Sequence, residues 1–154
     1  MKFKILLPCL FLPLMVGAIA GYFTTSALSV WYNTLNQPSF NPPNWIFGPV
    51  WTTLYVIMGY SAYLIHSSAN SPQKQKALLI YYSQLTLNFF WSFLFFYFNR
   101  IDLALIEIIF LLSFIILMII QFRKINQKAA YINIPYLIWV SFATILNLAY
   151  YLKN

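Results

Sequence analysis

Residues Ile106–Ile120 read IEIIFLLSFIILMII, apolar at every position except Glu107 and Ser113. So long a run has none of the alternation of a barrel strand and reads as helix. Similar stretches cover about 5–22, 46–65, 77–98, 102–121 and 131–152. Each is near the ~17–25 residues a helix needs to cross a bilayer. Lipid admits only helices and closed barrels. The expected fold is therefore all-α, one domain over 1–154, an integral membrane bundle of five transmembrane helices.

Composition agrees. The chain is 62% hydrophobic and 21% aromatic but only 7% charged, where a soluble domain carries about 25% charge. One cysteine (Cys9) and one histidine (His66) exclude an internal disulfide, a multi-Cys zinc site and a histidine metal cluster; no metal is expected. Asp102 and Glu107 stand five apart and face different sides of a helix, which excludes a paired-carboxylate hydrolase.

The net charge of +7 raises nucleic acid as a partner. The cations are scattered, however, without the clustered face that phosphates require, so the bilayer is the expected partner and nucleic acid is not. The cations orient the chain instead. Lys2, Lys4, Lys74, Lys76, Arg123, Lys124 and Lys128 share one side, and only Arg100 and Lys153 the other. This asymmetry places the N-terminus in the cytoplasm, with the first long loop and the C-terminus outside. Ala18-Ile19-Ala20 resembles a signal-peptidase site. The apolar run continues through Phe23, and Pro8 and Pro13 fit a kinked permanent helix, which favours a retained span.

The first loop, about Thr24 to Trp45, carries no charge. Loops beyond ~12–15 residues are usually functional or disordered. Trp31, Tyr32, Phe40 and Trp45 are costly to leave in water, and Pro38, Pro42 and Pro43 stiffen the backbone. An ordered lid over one mouth of the bundle is expected. No internal repeat is visible, which weakens an inverted-repeat transporter reading.

Aromatic and amide residues recur at helical spacing. Trp31 and Trp45 fit an interfacial belt, whereas Trp91 stands ~21 Å into its span at 1.5 Å per residue. Gln84, Asn88, Trp91 and Phe95 share one face of the third span, with Ser92 beside them. Tyr136, Trp139, Ala143, Asn147 and Tyr150 form a second stripe, and Trp51, Tyr55, Gly59 and Ala62 a third. Two readings stay open: an aromatic-walled ligand cavity, or amides and small residues that only glue helices together.

Gly17-x-x-x-Gly21 is a helix-packing motif. Glu107 is the one carboxylate well inside a span, within reach of polar neighbours such as Arg100, and is the candidate for proton coupling. Leu148-x-Tyr150-x-x-Lys153 matches a proposed sterol-contact pattern, but Tyr and Lys at a helix end are ordinary interface anchors. Pro135 suits the first turn of the fifth span, and His66 ends the second.

These residues together resemble the translocator protein family, also called tryptophan-rich sensory proteins or peripheral-type benzodiazepine receptors (TspO/MBR). The most specific part is Trp31-Tyr32-x-x-Leu35-x-x-Pro38-Ser39-x-x-Pro42-Pro43, then Gly48-Pro49-Val50-Trp51-x-x-Leu54-Tyr55-x-x-Met58-Gly59. Gln84-Leu85-x-Leu87-Asn88 and Pro135-Tyr136-Leu137-x-Trp139-x-x-Phe142-Ala143-Thr144-x-Leu146-Asn147 also match. The resemblance implies a five-helix bundle, commonly a homodimer, with a cavity closed by the first loop. It implies tetrapyrrole ligands such as protoporphyrin IX or haem, isoquinoline and benzodiazepine drugs, and in some members cholesterol. No obligatory cofactor is implied.

Carried over by position, Trp51 and Trp139 match the tryptophans tied to light-dependent protoporphyrin breakdown. Tyr32, Trp51, Tyr55, Asn88, Trp91, Ser92, Trp139, Ala143 and Asn147 match the ligand pocket, and Trp31, Pro38, Pro42 and Pro43 the lid. Phe40 stands where many members carry tryptophan, and the third span lacks the small-x-x-x-small pair that some members use to dimerise. The C-terminal sterol-like segment is degenerate and carries no claim of sterol binding. The leading expectation is a membrane receptor or carrier for tetrapyrroles, with Asn88, Ser92 and Asn147 meeting the ligand's polar edges and a sensory role possible. Photo-oxidative porphyrin breakdown through Trp51 and Trp139 is the enzymatic rival. A small proton-coupled exporter using Glu107 is the third reading.

Overall fold

The computed structural model describes residues 2–28 and 30–154. These form helices α1 (Phe3–Leu28), α2 (Asn44–His66), α3 (Pro72–Ser92), α4 (Ile101–Arg123), the short α5 (Gln127–Tyr131) and α6 (Ile134–Lys153). A 3-10 turn at Tyr32–Thr34 lies in the first loop, and a π-helical turn, Phe93–Tyr97, continues α3. No strand occurs among the described residues, so the all-helical expectation holds.

Four segments are long and apolar enough to cross a membrane: Phe3–Leu28, Pro72–Tyr97, Ile101–Arg123 and Gln127–Lys153. Helix α2 matches them in length but not in mean hydropathy, because Trp51, Thr52, Thr53, Tyr55, Tyr60 and Tyr63 replace aliphatic residues along it.

Several boundaries move from the sequence expectation, each for a local reason. Helix α1 runs past 22 to Leu28 because Thr24 and Thr25 donate their hydroxyls to the carbonyls of Ala20 (2.9 Å) and Gly21 (2.8 Å). Hydroxyls satisfied in this way follow the helix instead of opening it. The first loop is correspondingly shorter than 24–45; Ser29 within it lies outside the described residues. Helix α3 starts at Pro72, where Ser71 Oγ accepts from the Lys74 backbone N–H (3.1 Å) as an N-cap and proline takes the first turn.

Lys74 is therefore not a loop cation. Its buried ammonium donates to the carbonyls of His66 (2.7 Å) and Ser68 (2.9 Å) and closes the C-terminal end of α2. The last apolar stretch is also broken, between α5 and α6. There Asn133 Nδ2 donates to Ser61 Oγ (2.7 Å), which donates to the Ala129 carbonyl (2.8 Å), tying the junction to α2.

The α1–α2 pair decides where space is left. Gly59 of α2 meets the backbone of α1: a Cβ there would stand 2.7 Å from the Cys9 carbonyl oxygen and 2.8 Å from Leu10 Cα. Further along, a Cβ on Gly17 would run into the Tyr55 ring. Beyond that crossing the helices part. Gly21 of α1 and Gly48 of α2 have no heavy atom within 4 Å of a Cβ position. Of the predicted packing pair, Gly17 packs and Gly21 opens onto space.

Candidate functional site

The space left by that divergence is a cavity of about 650 Å³, lined by α1, α2, α3 and its π turn, α4, α6 and Tyr32. Its size falls within the ~300–1,000 Å³ usual for small-molecule pockets. Tyr32, Trp51, Tyr55, Asn88, Trp91, Ser92, Trp139, Ala143 and Asn147 all line it. The three stripes of the sequence thus converge on one volume, and none of the described residues that line it is charged.

The wall is held by two buried polar chains. In the first, the Tyr55 hydroxyl donates to Asn88 Oδ1 (2.7 Å). Asn88 Nδ2 donates to the Tyr136 hydroxyl (2.9 Å), which donates to Gln84 Oε1 (2.8 Å). In the second, Trp91 Nε1 donates to Asn147 Oδ1 (3.0 Å), and Asn147 Nδ2 to the Ile101 carbonyl (3.2 Å). Buried amides without partners would cost roughly 1–3 kcal/mol each. Asn88 and Asn147 each make two hydrogen bonds within the wall while lining the cavity, where the sequence expectation has them meet a ligand.

The indoles differ from one another. Trp91 is fixed by Asn147 and stacks on Phe95 (5.3 Å between centroids, 26°). Trp51 lies on Tyr55 (5.6 Å, 30°) and edge-on to Tyr136 (6.4 Å). Trp139 meets Phe47 edge-on (5.9 Å). Among the described residues, neither the Trp51 nor the Trp139 indole N–H has a hydrogen-bond partner. Both indoles line the cavity beside other aromatic rings.

The lid closes one end. Tyr150 donates its hydroxyl to Tyr32 (2.7 Å), which donates to Asn41 Oδ1 (3.1 Å). Asn154 Oδ1 accepts from the Asn36 backbone N–H (2.8 Å), while Asn36 Nδ2 donates to the Lys153 carbonyl (3.2 Å). Trp31 packs edge-on against Phe95 (5.7 Å) as a half-buried lid anchor; Trp45 is 75% exposed at the rim. Pro38 is buried and its carbonyl accepts from the Asn41 N–H (3.0 Å), while Pro43 starts α2. Phe40 packs on Phe142 (6.3 Å). Tyr150 is buried in this latch, so the sterol-like segment does not present it at the surface.

Sequence reasoning missed part of the wall. Gly21, Thr24 and Thr25 of α1, with Gly48 and Thr52 of α2, line the side of the cavity where the two helices part. Small residues at matching heights on neighbouring helices were the available signal. Phe96 joins the anticipated Phe95 on the wall because the π turn carries both round to it; such turns are often found at functional sites, and this one has no sequence signature.

Glu107 does not reach Arg100. Arg100 is held by Asp102 through two bonds (2.9 and 2.6 Å) at the start of α4. No group of His, Cys, Asp and Glu among the described residues is placed to hold a metal.

Long apolar helices around an uncharged, aromatic-walled cavity define a multi-pass membrane protein. Residues 9–152 match the TspO/MBR family. The chain is 38% identical to the tryptophan-rich protein TspO of Archaeoglobus fulgidus over 92% of its length and 91% of that protein's. It is 36% identical to the tryptophan-rich sensory protein of Cereibacter sphaeroides (86% and 84%). It is 34% identical to the human translocator protein (80% and 75%). The chain belongs to the TspO/MBR family and is an integral, multi-pass membrane protein.

Proposed function

We propose that this protein is a membrane receptor or carrier that binds a tetrapyrrole, such as protoporphyrin IX or haem, or a similar flat hydrophobic molecule in the α1–α6 cavity. The carrying observation is the convergence of Trp51, Trp91 and Trp139 on one uncharged volume. Aromatic walls favour stacking on a macrocycle, and the free N–H groups of Trp51 and Trp139 suit acceptors on its rim. With no cation on the wall, ligand carboxylates belong outside it, past Gly21 and Gly48 where α1 and α2 part. The names of the relatives, translocator and sensory protein, support a receptor role.

In this reading α2 is the fifth span, since it packs along α1 and α3 with the other four. The N-terminus then faces the cytoplasm, and the lid and Asn154 the opposite side. The family resemblance extends the reading to a homodimer.

The second reading is enzymatic. Trp51 and Trp139 both face the cavity, where an oxidisable indole would stand beside a photoexcited porphyrin. One experiment addresses both. Purified protein is titrated with protoporphyrin IX in the dark, followed by Trp quenching, then illuminated while porphyrin absorbance is recorded. Saturable quenching supports the binding site, and quenching that never saturates refutes both readings. Bleaching beyond a ligand-only control that disappears in Trp51→Phe and Trp139→Phe variants supports the enzyme. Bleaching equal to the control leaves a binder alone.

A further inference from the structure

Glu107 is the one acidic residue of α4 beyond its first turn, and both its carboxylate oxygens are buried without a hydrogen-bond partner. The charges around α4 are committed elsewhere. Arg100 and Asp102 pair with each other at 2.6 Å. Helix α3 has no charged residue after Lys76, and α6 none before Lys153. Lys128 of α5 lies over the Tyr60 ring, 5.6 Å from its centroid.

The titratable groups facing α4 are phenols: Tyr82 of α3 shares a groove with Phe110 and Phe114, and Tyr131 of α5 lies under Arg123 at the far end. Tyr81 of α3 stacks on Phe122 (6.1 Å) at the far end of α4. Tyr97 of the π turn is exposed. Tyr136 of α6 is buried, with its hydroxyl engaged by Gln84 and Asn88 and not by Glu107. A bare carboxylate in such surroundings is strongly disfavoured against its protonated form, and intramembrane acids of this kind usually carry function.

We propose that Glu107 is a proton-binding site of the bundle, coupled to occupancy of the cavity through its own helix α4. Ile108 and Leu111, next to Glu107 and one turn on, line the cavity. A proton leaving Glu107 places a bare charge directly behind that stretch of wall, and the helix must shift or admit water to solvate it. A ligand packed on Ile108 and Leu111 acts on the same stretch from the other side. By linkage, the effect of proton on ligand equals that of ligand on proton. The coupling rests on the cavity being the ligand site proposed above; the proton site does not.

The test is infrared spectroscopy of uniformly 13C-labelled protein in lipid nanodiscs, whose carboxyl bands are displaced from those of the probe, protoporphyrin IX. It is paired with dark Trp-quenching titrations from acid to alkaline pH. The expected result is a protonated-carboxyl band at neutral pH that is absent in Glu107→Gln and shifts when the probe saturates. The ratio of wild-type to Glu107→Gln dissociation constants, in which the probe's own titration cancels, should change by at least ~5-fold over the pH range. Leu111→Ala, which removes the cavity contact one turn from Glu107, should keep the band and lessen the shift.

A folded wild-type protein without the band at any pH overturns the proton site. A band that ignores a saturating probe, with a constant ratio, overturns the coupling. If quenching never saturates, the tetrapyrrole reading and the coupling to it both fall, while the band and its loss in Glu107→Gln still decide the proton site.

Discussion

Gly21→Leu and Gly59→Val place added bulk on the same helix pair with opposite expected effects. At Gly59 the new side chain would start 2.7 Å from the Cys9 carbonyl oxygen and 2.8 Å from Leu10 Cα, backbone atoms that cannot turn aside. Overpacking costs about 1–3 kcal/mol where side chains can adjust, so ~3 kcal/mol is expected here. At roughly 2–4 °C per kcal/mol for a chain of this size, Tm falls by ~6–12 °C. At Gly21 nothing stands within 4 Å, and leucine is a better helix former than glycine by up to ~1 kcal/mol. Stability is then unchanged or slightly raised. The isobutyl group introduced by Gly21→Leu enters the cavity, and protoporphyrin IX should bind at least tenfold more weakly, a loss of about 1.4 kcal/mol. The assay pairs a thermal melt in detergent with the dark quenching titration. Two results would refute the reasoning: Gly21→Leu melting as low as Gly59→Val, or a stable Gly21→Leu protein binding as wild type does.

Loss of the lid latch in Tyr150→Phe with Asn36→Ala should speed ligand release and amide exchange over residues 30–43. At ~1 kcal/mol per lost bond, each bond is worth about fivefold in opening, and unchanged exchange would show that the latch does not hold the lid. Cysteine accessibility tests the orientation: in a Cys9→Ser background, Ser67→Cys should label from the cytoplasmic side and Ser39→Cys from the other, and the reverse pattern would invert the topology. The exposed Arg100–Asp102 pair should matter little through the arginine. Asp102 also sits in the first turn of α4, where negative charge suits the helix N-terminus. Asp102→Ala should therefore lower Tm more than Arg100→Ala, and equal effects would leave no role for the helix end.

The spans and the inward faces are legible in the chain alone. Ile106–Ile120 must be helical in lipid because no other open form satisfies its backbone, and the 3.6-residue period selects which side of α3 or α6 carries Asn88 or Asn147. That the amides and indoles belong together is also written in the chain, since all nine anticipated residues line one cavity. What periodicity leaves open is the partner each face meets, because a partner depends on how neighbouring helices cross and rotate. Asn88 and Asn147 were legible as polar groups facing inward. Only packing showed that they bond Tyr55, Tyr136 and Trp91 along the cavity wall. Gly17 and Gly21 belong to one motif, yet the contacts at Gly17 and Gly59 set a crossing beyond which Gly21 faces empty space. Likewise the chain places Glu107 in the membrane, and the pairing of Arg100 with Asp102 is what leaves it alone there.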